Sequence, residues 1–292
     1  MIPFVKMHGC GNDFVVVRDA DLDVLDLDAA TFVRFTRLVC DRHFGIGADG
    51  LLAYGPGSSS ARVRMRYWNR DAGRAEMCGN GARCVVRLAF ERGETTSPLQ
   101  LETDVGTLAA SVVTENDSTV VDIGMGRVRW DPTAVGMTGA AELVNAPLRL
   151  GETELHVTAL SIGNPHAVVF LDSLDALAHL SLETTGLALS THPLFERGAN
   201  ASFVVVHDGD VHVRVWERGA GATLACGTAS CAAVAAAARL GHLKTARAHV
   251  HLPGGTVEVR VDPEDGAWLR GPAVCVAAGT LDASLVHTAR AG

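Results

Sequence analysis

Two cysteines at matching places in a repeated sequence are the residues of this chain best suited to chemistry. Residues 68–73 lead to Cys78-Gly79, and residues 216–221 lead to Cys226-Gly227, with matching tryptophan, arginine, glycine and cysteine residues at a constant offset of 148 (226 minus 78). A duplicated fold that offers one thiol from each half suggests two thiols facing one another across a shared cleft. Such a pair suits one reaction above others, in which a proton leaves one face of a carbon atom and a proton returns on the other face.

The sequence after each cysteine predicts the start of a helix. Cys78 is followed by Gly79-Asn80-Gly81-Ala82, and Cys226 is followed by Gly227-Thr228-Ala229-Ser230. The first N–H groups of a helix lack intrahelical acceptors, and the helix dipole is positive at that end. We therefore expect a cysteine at this place to tend toward the thiolate, which is a usable base, and a substrate carboxylate to bind the same amide groups.

Other roles for these cysteines have to be weighed. A single cysteine between a strand and a helix is more often a small buried hydrophobic residue, but two cases at matched repeat positions favour a function. Cys84 and Cys231 follow the pair by six and five residues, a spacing that turns them away from the first thiols on a helix and does not fit a zinc site. We expect both to lie in the core. A disulfide between Cys78 and Cys226 stays open as an alternative, although a reducing compartment disfavours it.

The elements that must position the cysteines repeat as well. Gly93 and Gly241 end the two predicted helices at the same offset, and a repeat of about half the chain indicates a duplicated domain. Residues 62–68 and 211–216 alternate as half-buried strands do, and residues 82–92 and 231–240 are helical. The sequence therefore predicts a mixed α/β fold of the α+β type, with two pseudo-symmetric domains, each a mostly antiparallel sheet around a central helix. We place the half carrying Cys78 at 1–127 plus 276–292, and the half carrying Cys226 at 128–275.

Composition excludes several other classes of protein. The chain has 292 residues, 25 Lys and Arg against 33 Asp and Glu, and a net charge of −8, which argues against nucleic-acid binding. Its longest apolar run, residues 231–238, is too short to cross a membrane, and the N-terminus does not resemble a signal peptide. Seven cysteines are an odd set typical of a reducing cytoplasm. The glycine-rich stretch 45–50 follows no apolar strand, so we interpret it as a loop and not as a dinucleotide site.

Five motifs resemble those of the diaminopimelate epimerase family and follow its order along nearly the whole chain. They are Met7-His8-Gly9-Cys10-Gly11-Asn12-Asp13-Phe14, Asp41-Arg42-His43-Phe44-Gly45-Ile46-Gly47-Ala48-Asp49-Gly50, Met77-Cys78-Gly79-Asn80-Gly81-Ala82-Arg83-Cys84, Gly163-Asn164-Pro165-His166 and Glu217-Arg218-Gly219-Ala220-Gly221. The resemblance implies an epimerase, independent of any cofactor or metal, that interconverts LL- and meso-2,6-diaminopimelate for lysine and peptidoglycan precursors. It implies an active site between the two halves, a small amino-acid substrate, and a homodimer as a further expectation.

The same resemblance implies roles for particular residues. Cys78 and Cys226 match the acid/base pair, and His166 and Glu217 match groups that set the protonation of the thiols. The amides of Gly79, Asn80, Gly227 and Thr228 match a cradle for the reacting carboxylate. Residues that fix the rest of the substrate are matched by Asn12, Asn69, Asn164, Asn200, Glu217 and Arg218. Taken singly, the asparagines are also typical of turns, and the His166 and Arg218 side chains of ordinary loops and surfaces.

The second copy departs from the family pattern in a few places. Ala222 stands where glutamate is usual, and Ala229-Ser230 stands where Gly-Ala is usual, so recognition of the far end of the substrate is open. A two-thiol racemase of proline, hydroxyproline or histidine is the alternative. A phenazine-type isomerase without the thiol pair and a non-catalytic binding protein are less favoured, since both Cys-Gly helix starts are kept.

Overall fold

The structure is a computed structural model that describes residues 1–59, 61–75, 77–115 and 118–291. The chain divides into two compact units, of which the first is Met1–Ile123 with Gly271–Gly292 and the second is Gly124–Arg270. The second unit is continuous in sequence. The first unit is completed by the last strand and helix of the chain.

Strands dominate the described residues. In chain order they are β1 (Ile2–Gly9), β2 (Asn12–Arg18), β3 (Gly50–Pro56), β4 (Arg62–Asn69), β5 (Arg74–Ala75), β6 (Leu99–Thr103), β7 (Gly106–Glu115), β8 (Ser118–Gly126), β9 (Ala146–Leu150), β10 (Thr153–Ser161), β11 (Pro165–Phe170), β12 (Asn200–His207), β13 (Asp210–Glu217), β14 (Gly221–Ala222), β15 (Arg247–Leu252), β16 (Gly255–Asp262), β17 (Gly266–Pro272) and β18 (Val274–Leu281).

Helices lie between these strands. They are α1 (Asp19–Asp23), α2 (Ala29–Cys40), α3 (Gly79–Glu91), α4 (Pro132–Val135), α5 (Leu174–His179), α6 (Leu187–Ser190), α7 (Gly227–Arg239) and α8 (Ala283–Ala291), and a π-helical turn, Leu182–Gly186, leads into α6. None of the described helices is long and apolar enough to span a membrane.

The sheet of the first unit runs in the order β18-β1-β2-β3-β4-β6-β7-β8. Adjacent strands of this sheet are antiparallel, except for the parallel pairs β2 with β3 and β4 with β6. Helix α3 packs against β1, β2, β3, β4 and β7. On the other face of the sheet, Val15, Leu51 and Trp68 join Phe35 and Val39 of α2 in a buried apolar cluster.

The sheet of the second unit repeats this pattern strand for strand. Its order is β9-β10-β11-β12-β13-β15-β16-β17, and only β11 with β12 and β13 with β15 are parallel. Helix α7 packs against β10, β11, β12, β13, β15 and β16. Each unit is therefore a mostly antiparallel sheet around a central helix, and the predicted fold class and internal duplication are confirmed.

The two central helices begin and end alike. Each starts at the residue after its cysteine, and each ends before a glycine with a positive φ, Gly93 at +68° and Gly241 at +76°. The glycine N–H groups donate to the carbonyl groups of Phe90 and Ala238, a helix end that requires the left-handed conformation glycine adopts without strain. The predicted helix ends at Gly93 and Gly241 are confirmed.

Candidate active site

Cys78 and Cys226 occupy equivalent backbone positions. Each is the N-cap of its central helix in extended conformation, with φ and ψ of −144° and 118° for Cys78 and of −128° and 115° for Cys226. The first helical hydrogen bonds run from the Ala82 N–H to the Cys78 carbonyl (2.8 Å) and from the Ser230 N–H to the Cys226 carbonyl (3.0 Å). Because these bonds close the first turn, the amides of Gly79, Gly81, Gly227 and Thr228 precede the helical hydrogen bonds, which is the position at which helix starts bind anions.

In the first unit, three predicted site residues meet at one oxygen atom. Asn12 is the first residue of β2, and its Oδ1 accepts hydrogen bonds from Cys78 Sγ (3.5 Å) and from Asn80 Nδ2 (3.2 Å). Asn80 is buried at 3% exposure, whereas Cys78 is half-buried. Asn69 ends β4, and its side chain is exposed. Among the described residues, this side chain takes no part in the hydrogen bonds that join Asn12, Cys78 and Asn80.

In the second unit, hydrogen bonds connect the thiol to an imidazole through two other side chains. Cys226 Sγ lies 3.4 Å from Thr228 Oγ1, Asn164 Nδ2 donates to the same Thr228 oxygen (3.4 Å), and Asn164 Oδ1 lies 2.9 Å from His166 Nε2. Since Asn164 presents its oxygen, His166 Nε2 carries the hydrogen and donates it. His166 is fully buried, and burial, followed by the positive charge of Arg218, lowers the pKa of the imidazole to about 3. The imidazole is therefore neutral.

A carboxyl group lies behind the second thiol. Glu217 ends β13, its Oε1 accepts a hydrogen bond of 2.6 Å from Thr223 Oγ1, and Cys226 is hydrogen-bonded to the same carboxyl group. Burial raises the pKa of Glu217, while the hydrogen bonds from Thr223 and Cys226 oppose the rise.

The protonation of Cys226 corrects one expectation from the sequence. Burial, and then the negative charge of Glu217, raise the pKa of Cys226 well above its ordinary value, although Thr228 and the Ala229 amide act in the opposite direction. The expectation that a cysteine at this helix start tends toward the thiolate is therefore wrong for Cys226. The helix start does favour the anion, but desolvation and a neighbouring carboxylate outweigh it.

Asn200 and Arg218 lie side by side at the ends of adjacent strands. Asn200 opens β12 and pairs with His166, and its Nδ2 donates to the Pro165 carbonyl (3.1 Å). Its Oδ1 accepts the Arg218 N–H (2.9 Å). The exposed Arg218 side chain donates to the Arg197 carbonyl (3.2 Å), so its guanidinium stays near the surface, where it could meet a carboxylate.

Cys84 and Cys231 lie inside their units, as predicted. Both are 0% exposed, and burial raises the pKa of the Cys84 thiol to about 12. Each is part of its central helix, on the side packed into the protein. Neither thiol is placed to react.

Three residues near the thiols escaped the sequence analysis. Thr223 bonds to Glu217, Arg83 bonds to Asn80, and Asp49 bonds to Asn12. Arg83 and Asp49 lie inside motifs that the sequence analysis quoted, and Thr223 follows the departure at Ala222. Motif membership was the available signal for Arg83 and Asp49, and the contact of Asp49 with Asn12 joins residues 37 apart in sequence that only folding brings together.

Comparison with known proteins identifies the family. The model of the family described as diaminopimelate epimerase matches residues 4–130 and 158–276. A protein named diaminopimelate epimerase from Carboxydothermus hydrogenoformans is 42% identical over 278 residues, which cover 94% of this chain and 98% of that protein. The chain belongs to the diaminopimelate epimerase family. The members of this family are isomerases, and the isomerase class predicted from the sequence is confirmed.

Solved structures show how widely the fold is shared. A phenazine biosynthesis protein of the PhzF family from Bacillus anthracis superposes with a TM-score of 0.69 at 19% identity, over 96% of this chain and 99% of that chain. A hydroxyproline epimerase from Agrobacterium vitis with bound trans-4-hydroxy-L-proline also gives 0.69, at 16% identity, over 96% and 90% of the two chains. At these identities the likeness shows that this chain shares its fold with both proteins, and it extends to the fold alone.

Proposed function

We propose that this protein interconverts LL- and meso-2,6-diaminopimelate without pyridoxal phosphate, in the supply of lysine and peptidoglycan precursors. The observation that carries the proposal is the repeated Cys-Gly helix start, which provides one thiol at residue 78 and one at residue 226. The family match over both halves of the sequence and the 42% identity to a protein named diaminopimelate epimerase support the choice of substrate.

The two thiols divide the work according to what lies behind each. Cys78 has the neutral oxygen of Asn12 as its acceptor, whereas Cys226 has the carboxyl group of Glu217. A negative charge beside a sulfur penalises a second negative charge, so Cys226 holds its proton and acts as the acid in one direction. Once the Cys78 thiol has lost to solvent the proton that it donates to Asn12, the thiolate forms an S–H bond as the α-C–H bond breaks, while Cys226 gives its proton to the opposite face of the carbon atom. The roles are exchanged in the reverse direction.

The helix starts stabilise the charge that develops during the reaction. As the α-proton leaves, negative charge spreads onto the neighbouring carboxylate of the substrate. The amides of Gly79 and Asn80 and those of Gly227 and Thr228 lack helical acceptors and are suited to bind that carboxylate. Neutral His166 keeps the Asn164–Thr228 side chains in place. The remaining predicted residues, namely Asn12, Asn69, Asn200, Glu217 and Arg218, hold the amino and carboxyl groups of the substrate.

The test is exchange of the α-hydrogen with solvent. LL-diaminopimelate incubated with the protein in deuterium oxide, with no pyridoxal phosphate, gains deuterium at its α-carbon as the meso isomer forms, which NMR and chiral chromatography measure. Cys78→Ser and Cys226→Ser each lower the rate of epimerisation by about 100-fold or more, because a serine hydroxyl is a far weaker acid than a thiol and a far weaker base than a thiolate. Wild-type rates in either single Cys→Ala variant contradict the two-thiol mechanism.

A substrate panel separates this proposal from its alternative. Proline, trans-4-hydroxyproline and histidine are offered under the same conditions. The proposed substrate is supported if diaminopimelate is the one compound of the panel whose α-hydrogen exchanges with deuterium. Exchange with one of the other amino acids, and none with diaminopimelate, assigns the same two thiols to a different racemase.

The proposal includes the setting in which the enzyme works. Functional halves at residues 1–127 with 276–292 and at 128–275 each supply one thiol, and the odd set of seven cysteines favours the reducing cytoplasm. We also infer a homodimer, since strand β18 carries apolar side chains at the surface, with Val274 at 37% and Val276 at 60% exposure. Light scattering at micromolar concentration measures the assembly, and a mass of one chain contradicts the dimer.

A further inference from the structure

A chain of hydrogen bonds with a charge at each end runs past Cys78. Arg83 Nη2 donates to Asn80 Oδ1 (2.9 Å), Asn80 Nδ2 donates to Asn12 Oδ1 (3.2 Å), and Asn12 Nδ2 donates to Asp49 Oδ2 (2.9 Å). A guanidinium can only donate and a carboxylate can only accept. The two ends therefore fix the direction of every bond between them, and with it the orientation of both amide groups.

Both ends of this hydrogen-bond chain are held firmly. Arg83 is 0% exposed, and its other nitrogens donate to the carbonyl groups of Pro272 (3.1 Å) and Gly79 (3.4 Å). Asp49 forms an ion pair with Arg42 (2.9 Å), and its Oδ2 accepts a hydrogen bond from the backbone N–H of Asp13 (3.2 Å). Neither charged group is free to turn and reverse the chain.

The orientation decides what Asn12 can offer to a ligand. Its Oδ1 already accepts from Asn80 and from Cys78 Sγ, and one hydrogen of its Nδ2 goes to Asp49. The second Nδ2 hydrogen has no recorded partner within the described residues. Asn12 therefore presents an N–H donor, which suits a carboxylate oxygen and repels an ammonium group.

We propose that Asp49 is a positioning residue that acts through Asn12, and that it commits the Asn12 side chain to donate to a carboxylate of the substrate. The identity of that substrate rests on the proposed function, whereas the orientation of Asn12 does not. Asp49 lies 37 residues from Asn12 in sequence and meets it because β2 and β3 pair in parallel, with Phe14 opposite Gly50. Asp49 itself touches neither thiol.

A purely structural role for Asp49 is the competing explanation. Its carboxylate belongs to a cluster of charged groups that also ties the 41–49 loop to the sheet, formed by Lys6, Asp13 and Arg42. A loss of that cluster lowers stability whether or not Asn12 is present. A residue that works through Asn12 has no further effect once the Asn12 side chain is gone, and a double-mutant cycle separates the two explanations.

The experiment compares Asp49→Ala, Asn12→Ala and the double variant in the full-length protein, with kcat and KM for epimerisation as the readout. We expect Asp49→Ala to lower kcat/KM by about tenfold to a hundredfold, the range for one hydrogen bond to a charged group. The double variant matches Asn12→Ala alone. Asp49→Asn recovers most of the loss because it keeps an oxygen for Asn12, and half-exposed Arg42 can turn away from the new amide.

The matched control is Asp104→Ala. Asp104 has the same 37% side-chain exposure as Asp49 and also pairs with an arginine, Arg74, but it bonds to no predicted site residue. We expect wild-type kcat/KM for this variant. Equal kcat/KM for Asp49→Ala and wild type, or losses that add in the double variant, overturn the positioning role.

A second readout does not depend on turnover. In a proton–nitrogen spectrum of the wild-type protein, one side-chain amide hydrogen of Asn12 is shifted by its bond to Asp49 and exchanges slowly with water. Both properties are lost in Asp49→Ala and kept in Asp104→Ala. An unshifted, rapidly exchanging Asn12 amide in the wild type overturns the fixed orientation. A wild-type protein with this spectrum but no exchange of diaminopimelate instead contradicts the proposed function.

Discussion

The bond between Thr223 and Glu217 offers the sharpest test of how the second thiol is controlled. Thr223→Val keeps the shape of the side chain and removes the 2.6 Å hydrogen bond to Glu217 Oε1. A short O–H···O⁻ bond stabilises the ionised carboxylate more than the neutral acid, so its loss raises the pKa of Glu217 further in the direction that burial already takes it.

The size of the effect follows from the energy of the bond. A hydrogen bond to a charged group contributes about 1.5–3 kcal/mol, and one pKa unit corresponds to about 1.4 kcal/mol. The pKa of Glu217 should therefore rise by about one to two units. In the proposed mechanism the carboxylate accepts the S–H of Cys226, and protonation of Glu217 removes that acceptor. Activity then falls on the acidic side, and the midpoint of the fall moves to higher pH in the variant.

The assay is the pH dependence of kcat/KM, which reports groups of the free enzyme. Wild type and Thr223→Val are compared with Thr191→Val, a control in which an exposed threonine loses a 2.8 Å hydrogen bond to the Leu187 carbonyl. We expect an unchanged acidic limb for Thr191→Val and a limb displaced upward by about one to two units for Thr223→Val. Superimposable acidic limbs for all three proteins would refute a controlling role of Glu217.

Two further predictions concern other buried charged or titratable groups. His166, whose pKa burial and Arg218 lower to about 3, stays neutral, so its imidazole proton resonances do not move between about pH 5 and pH 9, the range in which an ordinary histidine titrates; a shift near pH 6.5 contradicts this. The Asp19 side chain is 5% exposed and accepts hydrogen bonds from Arg64 (2.8 Å) and Arg66 (2.7 Å). Asp19→Ala should therefore lower the free energy of unfolding, measured by urea denaturation, by about 2 kcal/mol. Asp23→Ala, at 63% exposure, should cost less than about 0.5 kcal/mol, and equal losses for the two variants contradict the burial argument.

Local patterns in the sequence were enough to predict the scaffold of the thiols. The helix starts after Cys78 and Cys226, the glycines that end both helices, and the buried places of Cys84 and Cys231 all depend on neighbouring residues in the chain, where spacing is informative. The 148-residue offset also revealed the duplication, because equal spacing in sequence produced the same order of strand pairing in each unit.

The electrostatics of the site could not be predicted in the same way. A helix start alone favours a thiolate, and only folding shows that Cys226 is buried against Glu217, which reverses the preference. Asp49 stood within a quoted motif, but its role depends on parallel pairing of β2 with β3. Arg83 reads as an ordinary charged residue of an amphipathic helix, and its complete burial is compensated in part by the carbonyl of Pro272, 189 residues away in the chain.

Strand β18 lies at the edge of the sheet in the first unit, and the ribosome makes it after the whole of the second unit. Pairing from Ile2 with Leu281 to His8 with Val274 joins two strands that lie 266 to 279 residues apart in the chain (274 minus 8 and 281 minus 2). At ordinary translation rates β1 waits on the order of tens of seconds for this neighbour, with one row of peptide groups uncovered. The sheet of the unit carrying Cys78 is completed only when β18 is made, after the whole of the continuous unit carrying Cys226 has been synthesised.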